Sequence, residues 1–504
     1  MDVNAVATAA TTTGGYLLVL AILLPVAAIL AAFALGGRYA ERTALVFMPI
    51  GLVIAVAIAI HICRAGEPLV YVLGGYAPPL GITLRADGFS AVMLVTTALI
   101  ISSAGFYARV NFATADGVTE TRAPFTFWIL LLAIWASLNI IFVGGDLFNL
   151  YVALELLTFA AVPLVCLDGR AETVVAALRY LMFALCGSVF YLLGAALLYG
   201  AYGTLDIALL AQRVHSEPAV WTAAGLMTAG LLAKTALFPL HLWLPPAHAN
   251  APAACSAVLS SLVVKGSFFL IVRIWFSVLP NLPHEPANLL LATLGSAAIV
   301  FGSVLALMQT RLKLLIAYST VAQIGYLFLM FPLAGGVHPW AADAWSGGIM
   351  QTLSHAFAKA SMFLAAGLIA ESLGHDRIVD LRGIGAAMPV TLLAFGLGGL
   401  SLMGLPPSGG FVAKWLLIKS SVEAGQWVWA VVMLAGGLLA GGYIYRVLAP
   451  ALSSDVVRLN ASPQQSREAV VLMLAVLAIL LGFAPPSFFG FLQIGRAGIE
   501  GGPL

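Results

Sequence analysis

The chain has 504 residues, of which 62% are hydrophobic and 9% charged, and its formal net charge is +2. Soluble globular domains carry about 25% charged residues, so this composition excludes that class and points to an integral membrane protein. The basic residues are too few and too scattered for a nucleic-acid surface or for an acidic macromolecular partner.

Residues 1–15 include Asp2 and neither lysine nor arginine, so the positive leading segment of a secretory signal is missing. The apolar run that starts at Tyr16 therefore reads as a retained span. A bilayer crossing needs about 20 mostly apolar residues. Such runs follow one another near 16–35, 44–63, 88–107, 124–144, 147–167, 176–200, 221–244, 255–279, 287–309, 314–332, 346–370, 391–420, 428–450 and 467–490. The expectation is an all-α membrane protein of about 14 transmembrane helices in the lipid bilayer.

Alternating the intervening segments puts Arg38, Arg42, Arg109, Arg122, Arg170, Arg179, Arg311, Lys313, Arg377, Arg382, Arg446, Arg458 and Arg467 on one face. The other face receives Arg64, Arg85, Arg213, Arg273, Lys419 and Arg496. The basic excess marks the first face as cytoplasmic. A multi-pass protein of the cell (inner) membrane is expected, with an even number of spans and both termini on the non-cytoplasmic side. Cys63, Cys166, Cys186 and Cys255 lie in or beside apolar runs without C-x-x-C spacing, and they read as small packing residues.

Five charges remain inside apolar runs: Glu155, Lys234, Lys265, Lys359 and Lys414. A charge at a helix centre costs about 2.5–3.5 kcal/mol even on a lenient insertion scale, so each needs a partner, water or a neutral state. Lysine suits proton movement because its protonation responds strongly to burial and to a nearby carboxylate. A static ion pair could explain any one of the five, but not readily all of them together. His355 and Lys359 are four apart and share a helix face. His241 and His248 are seven apart with no third ligand nearby, so they are secondary candidates for the path and no metal site is predicted. No ligand pattern for haem, flavin or an iron–sulfur cluster is present, and no cofactor is predicted.

Lys234 precedes Pro239, and Lys414 follows Pro406 and Pro407. Proline removes a backbone hydrogen bond, so helix breaks are expected on spans 7 and 12. Paired broken helices in two halves point to inverted repeats around a midplane ion site. The five-span offset is met by two inverted five-helix repeats, spans 4–8 and 9–13. The corresponding segments are 1–123, 124–280, 281–450 and 451–504, holding the first three spans, the two repeats and the last span.

The stretches DLFNLYVALELL, KTALFPLHLWLPPAHANAP, SAVLSSLVVKGSFFLIVR, LKLLIAYSTVAQIGYL, HAFAKASMFLAAGLI and GLPPSGGFVAKW occur in this order between about residues 85 and 450. They resemble the antiporter-like subunits of respiratory complex I, of the Mrp cation/proton antiporters and of membrane-bound hydrogenase or formate hydrogenlyase complexes. The resemblance implies two half-channels joined by a polar midplane axis. Glu155 matches the carboxylate of span 5, Lys234 its partner lysine, and Lys265 the linking lysine of span 8. Lys359 with His355 matches the span 11 relay, and Lys414 the terminal lysine of span 12. It also implies other membrane subunits as partners, with protons and a monovalent cation as the species moved.

Two departures matter. Where relatives often carry an aspartate, this chain has Pro246, so a role for that group does not transfer. Lys414 stands where some complex I subunits have glutamate. A chain ending at Leu504 leaves no room for the long lateral helix of the largest members, and the Phe148–Val152 stretch looks more like the Mrp D type. The expectation is the proton-translocating subunit of a Na+/H+-type antiporter, with a proton-pumping subunit of complex I or of a hydrogenase complex as the alternative. A quinone-binding redox subunit, a transport-dead scaffold and an organic-solute carrier are rival classes.

Overall fold

The computed structural model describes residues 10–114 and 121–496. The extreme termini, whose placement is expected on the non-cytoplasmic side, lie outside the described residues. In chain order the helices are α1 (Tyr16–Leu35), α2 (Gly37–Ala65), α3 (Gly88–Ala108), α4 (Arg122–Val143), α5 (Leu147–Val165) and α6 (Ala171–Tyr202). They continue with α7 (Ile207–Arg213), α8 (Pro218–Thr235), α9 (Leu244–Asn250), α10 (Ala253–Val278), α11 (Glu285–Met308) and α12 (Leu312–Phe328). The last six are α13 (Ala341–Leu373), α14 (Pro389–Met403), α15 (Gly409–Glu423), α16 (Trp427–Ala451), α17 (Gln465–Phe483) and α18 (Pro486–Gln493).

Among the described residues, eleven helices are long and apolar enough to cross a membrane, and α12 and α14 are shorter apolar helices. The apolar window of α10 is wholly buried and that of α13 is 94% buried, whereas those of α1 and α2 are 28% buried. α10 and α13 thus form the centre of the bundle and α1 and α2 its edge. In lipid an outward leucine or valine carries no penalty, so the apolar residues of the edge helices need no cover.

The apolar windows at 221–244 and 391–420 each divide. α8 stops at Thr235 because Ala236 adopts φ 59°, ψ 39°, a left-handed conformation, and helix resumes only at Leu244. Helix α14 stops at Met403, with Gly404 at φ 80°, and helix resumes at Gly409. The last window, 467–490, is shorter than its hydropathy suggests. Its helix ends at Phe483, and Pro485 and Pro486 set the turn into α18.

One element departs from the all-α expectation. Leu69–Val72 (β1) and Thr83–Ala86 (β2) pair antiparallel, Leu69 opposite Ala86. Both strands are short, β1 is rich in β-branched and aromatic residues, and the Ala77-Pro78-Pro79 segment between them cannot continue a helix. The hairpin and the start of α3 meet the two ends of the described chain. Thr12 N–H donates to Val70 O at 3.0 Å, and Gly88 N–H donates to Ile494 O at 3.1 Å, so both described ends reach the same end of the bundle.

Beside the hairpin, Asp87 caps α3 by accepting from Ser90 N–H at 2.9 Å. Its other oxygen accepts from Arg273 at 2.5 Å. Arg273 also donates to Ser90 Oγ at 2.9 Å, and that hydroxyl donates to Phe142 O at 2.6 Å. α3, α4 and α10 are locked together there. Burial of Asp87 pushes its carboxyl up, but the Arg273 guanidinium, the Ser90 N–H and the charge of Arg85 together outweigh this and hold it below the ordinary carboxylate value.

Helices α6 and α8 meet at glycines. A Cβ on Gly187 would lie 2.5 Å from Gly230 O, and one on Gly230 would lie 2.2 Å from Gly187 O. Backbones approach this closely only where both residues lack side chains. The contact brings the last turn of α8, with Lys234, against α6.

Candidate functional site

Asp146 starts α5 by accepting from Phe148 N–H and Asn149 N–H at 2.9 and 3.0 Å. Two turns on, Glu155 and Thr158 lie three apart and so on one face. Lys234 Nζ meets both, 3.2 Å from Glu155 Oε1 and 2.9 Å from Thr158 Oγ1. Ser188 of α6 donates its hydroxyl to the same carboxylate oxygen. The lysine side chain is 6% exposed and the glutamate 16%, so the carboxylate sits at the rim of the bundle. Lys234 is also in the last turn of a broken helix, where the dipole favours a cation.

Beyond Lys234, Thr235 Oγ1 donates to Ser267 Oγ of α10 at 2.8 Å. Lys234, Thr158, Tyr180, Val263 and Ser267 line a cavity of about 10 Å3, which is near the volume one water needs. The cavity thus lies between Lys234 and the helix that carries Lys265.

Lys265 is fully buried and donates to Ser260 O at 2.6 Å. Its helix widens to π geometry over Leu259–Val263, a distortion frequent at functional sites. From the same turn Ser260 Oγ bonds Thr320 Oγ1 of α12 at 2.9 Å, and Thr320 donates to Ile316 O at 3.0 Å. Lys359 of α13, also fully buried, donates to Ile316 O at 3.0 Å and to Ser319 Oγ at 2.5 Å. Two hydroxyls and two carbonyls therefore connect the lysines of α10 and α13.

Lys414 closes the far end of the series. Its ammonium donates to Leu402 O at 2.7 Å and Met403 O at 3.2 Å, the last carbonyls of α14, and it lies 4.2 Å from the centroid of the Tyr326 ring. The break at Gly404–Ser408 frees those carbonyls, and the lysine caps them. Leu402 O also accepts from Gln323 Nε2 at 3.0 Å, and Gln323 Oε1 accepts from Gln351 Nε2 at 3.0 Å. Gln351 is one turn before His355 on α13. His355 is 1% exposed, lies within Coulombic reach of Lys265, Lys359 and Lys414, and neither ring nitrogen has a hydrogen-bond partner among the described residues. Lys234 alone of the four lysines has a carboxylate within 4.0 Å among the described residues.

The remaining candidates separate. His248 is fully buried, within Coulombic reach of Lys265, Lys359 and Lys313, and also without a ring hydrogen bond among the described residues. His241 packs its ring on Phe238, 5.5 Å between centroids. Pro239 lies in the non-helical segment after α8, and Pro406 and Pro407 lie in the one after α14.

Sequence reasoning did not single out Thr158, Ser188, Ser260, Ser319, Thr320, Gln323 or Gln351, all of which touch the charged groups or one another. It also grouped Lys313 with the cytoplasmic basic residues. Lys313 is 9% exposed and donates to Ala251 O at 2.5 Å, while Arg170 donates to Asn250 O at 3.2 Å, so both cap the end of α9. In the loop before α6, Asp168 is pushed up by burial, but hydrogen bonds from Thr173 and Arg170 bring its carboxyl below the ordinary value.

Fold and site define a multi-pass α-helical membrane protein with two interrupted helices and a series of four buried lysines, of which Lys265 and Lys359 are linked through hydroxyls and carbonyls. Residues 144–440 match the family described as NADH:quinone oxidoreductase/Mrp antiporter, transmembrane, and the chain belongs to it. It is 38% identical to the N-type subunit of the NADH-quinone oxidoreductase of Desulforudis audaxviator, over 78% of this chain and 77% of that one. It is 28% identical to the D-type subunit of the Na+/H+ antiporter of Alkalihalophilus pseudofirmus, over 87% of this chain and 88% of the relative. Among solved structures, a chain of the Mrp complex from Dietzia sp. DQ12-45-1b superposes with a TM-score of 0.83 at 26% identity, covering 95% of this chain and 96% of its own. The family suggested by the sequence motifs is thus the family found.

Proposed function

We propose that this chain is the proton-translocating subunit of a multisubunit monovalent cation/proton antiporter, of the Na+/H+ type, in the cell (inner) membrane. The observation that carries the reading is the series Glu155–Lys234, Lys265, Lys359 and Lys414, in which every ammonium is buried and met by oxygen atoms. Charges at this depth are costly and mark ion pathways by default. The proton passes from the cytoplasmic side by Lys234 or Lys265 to Lys359 and His355, and leaves near Lys414. Glu155 governs the protonation of Lys234 through its charge. His248 and His355, buried imidazoles whose ring nitrogens have no hydrogen-bond partner among the described residues, act as carriers that accept and release a proton in turn.

The architecture proposed with this function has fourteen spans, counting α8 with α9 and α14 with α15 as single broken crossings. Spans 4–8 and 9–13 form two inverted repeats, over residues 124–280 and 281–450, flanked by 1–123 and 451–504. Both termini face away from the cytoplasm. Other membrane subunits complete the complex, with redox or gradient energy supplied through them.

A second reading follows from the 38% identity to an N-type oxidoreductase subunit: a proton-pumping membrane subunit of complex I or of a related redox complex. Purification of the tagged chain from native membranes in mild detergent, with mass spectrometry of what accompanies it, separates the two. Small membrane subunits alone support the antiporter. Flavin, iron–sulfur or nickel subunits overturn it in favour of the redox-driven pump.

A further inference from the structure

Outside the lysine series, a cavity lies between the first turns of α2 and α17 and the end of α3. It has a volume of about 860 Å3 and is open to the surface. Arg38, Arg42 and Arg109 line it, with Glu41 as the single lining carboxylate among the described residues. Arg109 gives its Nε to Glu41 at 2.8 Å, and neither Arg38 nor Arg42 has a carboxylate within ion-pair distance among the described residues. Arg38 and Arg42 belong to the first turns of α2, and Gln464 and Ser466, also in the lining, belong to the start of α17. Two helix N-termini therefore add their positive ends to the arginines.

The rest of the wall is apolar. Leu45, Val46, Phe106, Val110 and Val470 line the same cavity. Below it, exposed apolar residues continue along both helices at helical spacing, Ile50 and Val53 from Val46 on α2, and Met473, Val476 and Leu480 from Val470 on α17. Cationic groups at the rim with apolar tracks running down two spanning helices match a ligand that carries a phosphodiester and hydrocarbon chains. A soluble anion would use the arginines and leave the tracks unused. Basic pockets between spanning helices on the cytoplasmic side are the expected shape of an anionic-lipid site, and these arginines fall on the face with the basic excess.

We infer that this cavity binds the headgroup of one anionic phospholipid, through Arg38, Arg42 and the terminal nitrogens of Arg109, with its acyl chains along α2 and α17. Arg109 bonds Glu41 through Nε, which leaves its terminal edge for the phosphate.

The test is native mass spectrometry of the full chain, purified with its native partners and titrated with phosphatidylglycerol or with phosphatidylethanolamine of the same acyl chains. The expected result is preferential retention of phosphatidylglycerol, weakened roughly thirtyfold in Arg38→Gln/Arg42→Gln and largely kept in Arg38→Lys/Arg42→Lys. The lysine pair guards against a folding artefact, because it keeps the charge. Equal retention of the two lipids, or an unchanged affinity in the glutamine pair, overturns the inference. So does full displacement of the lipid by inorganic phosphate, which would make this a free-anion site. Capture of a partner subunit in place of lipid by a photo-crosslinker at position 46 in native membranes also overturns it.

Discussion

Lys234 Nζ lies 3.2 Å from Glu155 Oε1, and this is the point where a lysine of the buried series meets a carboxylate. At an effective dielectric near 20 the attraction is about 5 kcal/mol before desolvation is subtracted. The glutamate sits at the rim of the bundle, so a charge arriving beside it from outside acts directly on the pair.

Glu155→Gln keeps the shape and still accepts the Ser188 hydroxyl, but it removes the charge. Proton transport is expected to fall at least about tenfold, the change produced by 1.4 kcal/mol, while assembly is unaffected. Lys234→Ala is expected to do the same. A pH-sensitive dye in membrane vesicles reads both, and undiminished proton movement in the two variants would remove Glu155 and Lys234 from the path.

Thr320→Val replaces a hydroxyl by a methyl of the same shape and cuts the link from Ser260 to Ile316 that joins the surroundings of Lys265 and Lys359. Every charge is left in place. The stability loss is expected to be about 1 kcal/mol, that of a hydrogen bond with its partner stranded. Transport should drop severalfold at unchanged protein level. Wild-type transport in this variant would mean that the proton does not use these hydroxyls.

The contrast between the lysines and the hydroxyls explains what could be read in advance. A lysine inside an apolar run is conspicuous because its insertion cost demands a reason, and Lys234, Lys265, Lys359 and Lys414 stood out on that ground alone. Thr158 and Ser188 did not, because each hydroxyl lies within hydrogen-bond distance of the carbonyl four residues back in its own helix, Leu154 and Ala184, as membrane hydroxyls commonly do. Only the neighbouring helix reveals their second contact. Gln323 and Gln351 carried a usable signal, since an amide in an apolar run also needs partners. Lys313 falls with the cytoplasmic basic residues when the segments between spans are alternated, and its contact with Ala251 O, sixty-two positions earlier, is visible only in the fold. Hydropathy runs located the long helices well but averaged across the breaks at Ala236 and Gly404, where backbone conformation rather than polarity interrupts the helix.

At the hairpin end, Asp87 and Arg273 form an ion pair with the carboxylate 2% exposed. Asp87→Asn leaves the guanidinium without its counter-charge and is expected to cost about 3 kcal/mol. The native carboxyl is held below its unfolded value by Arg273, so its contribution is complete above the unfolded value and is lost as pH falls through the folded one. The gap between wild type and variant in thermal unfolding of the detergent-purified protein should therefore narrow on acidification. A gap that stays constant down to the lowest tolerated pH would show that the charge of Asp87 is not what stabilises the contact.

Tyr326 offers two separable contacts to the far end of the series. Its ring lies 4.2 Å from Lys414 Nζ, while its hydroxyl donates to Met433 O of α16 at 3.1 Å. An aromatic face holds a desolvated ammonium with up to about 2 kcal/mol. Tyr326→Phe keeps the face and loses the hydrogen bond, so it should cost about 1 kcal/mol of stability with transport nearly intact. Tyr326→Leu loses both and should lower transport severalfold beyond the phenylalanine variant, because Lys414 keeps only the carbonyls of Leu402 and Met403. Transport and thermal unfolding measured on both variants decide the point. If leucine and phenylalanine transport alike, the ring does not hold Lys414, and the break in α14 does so through its carbonyls alone.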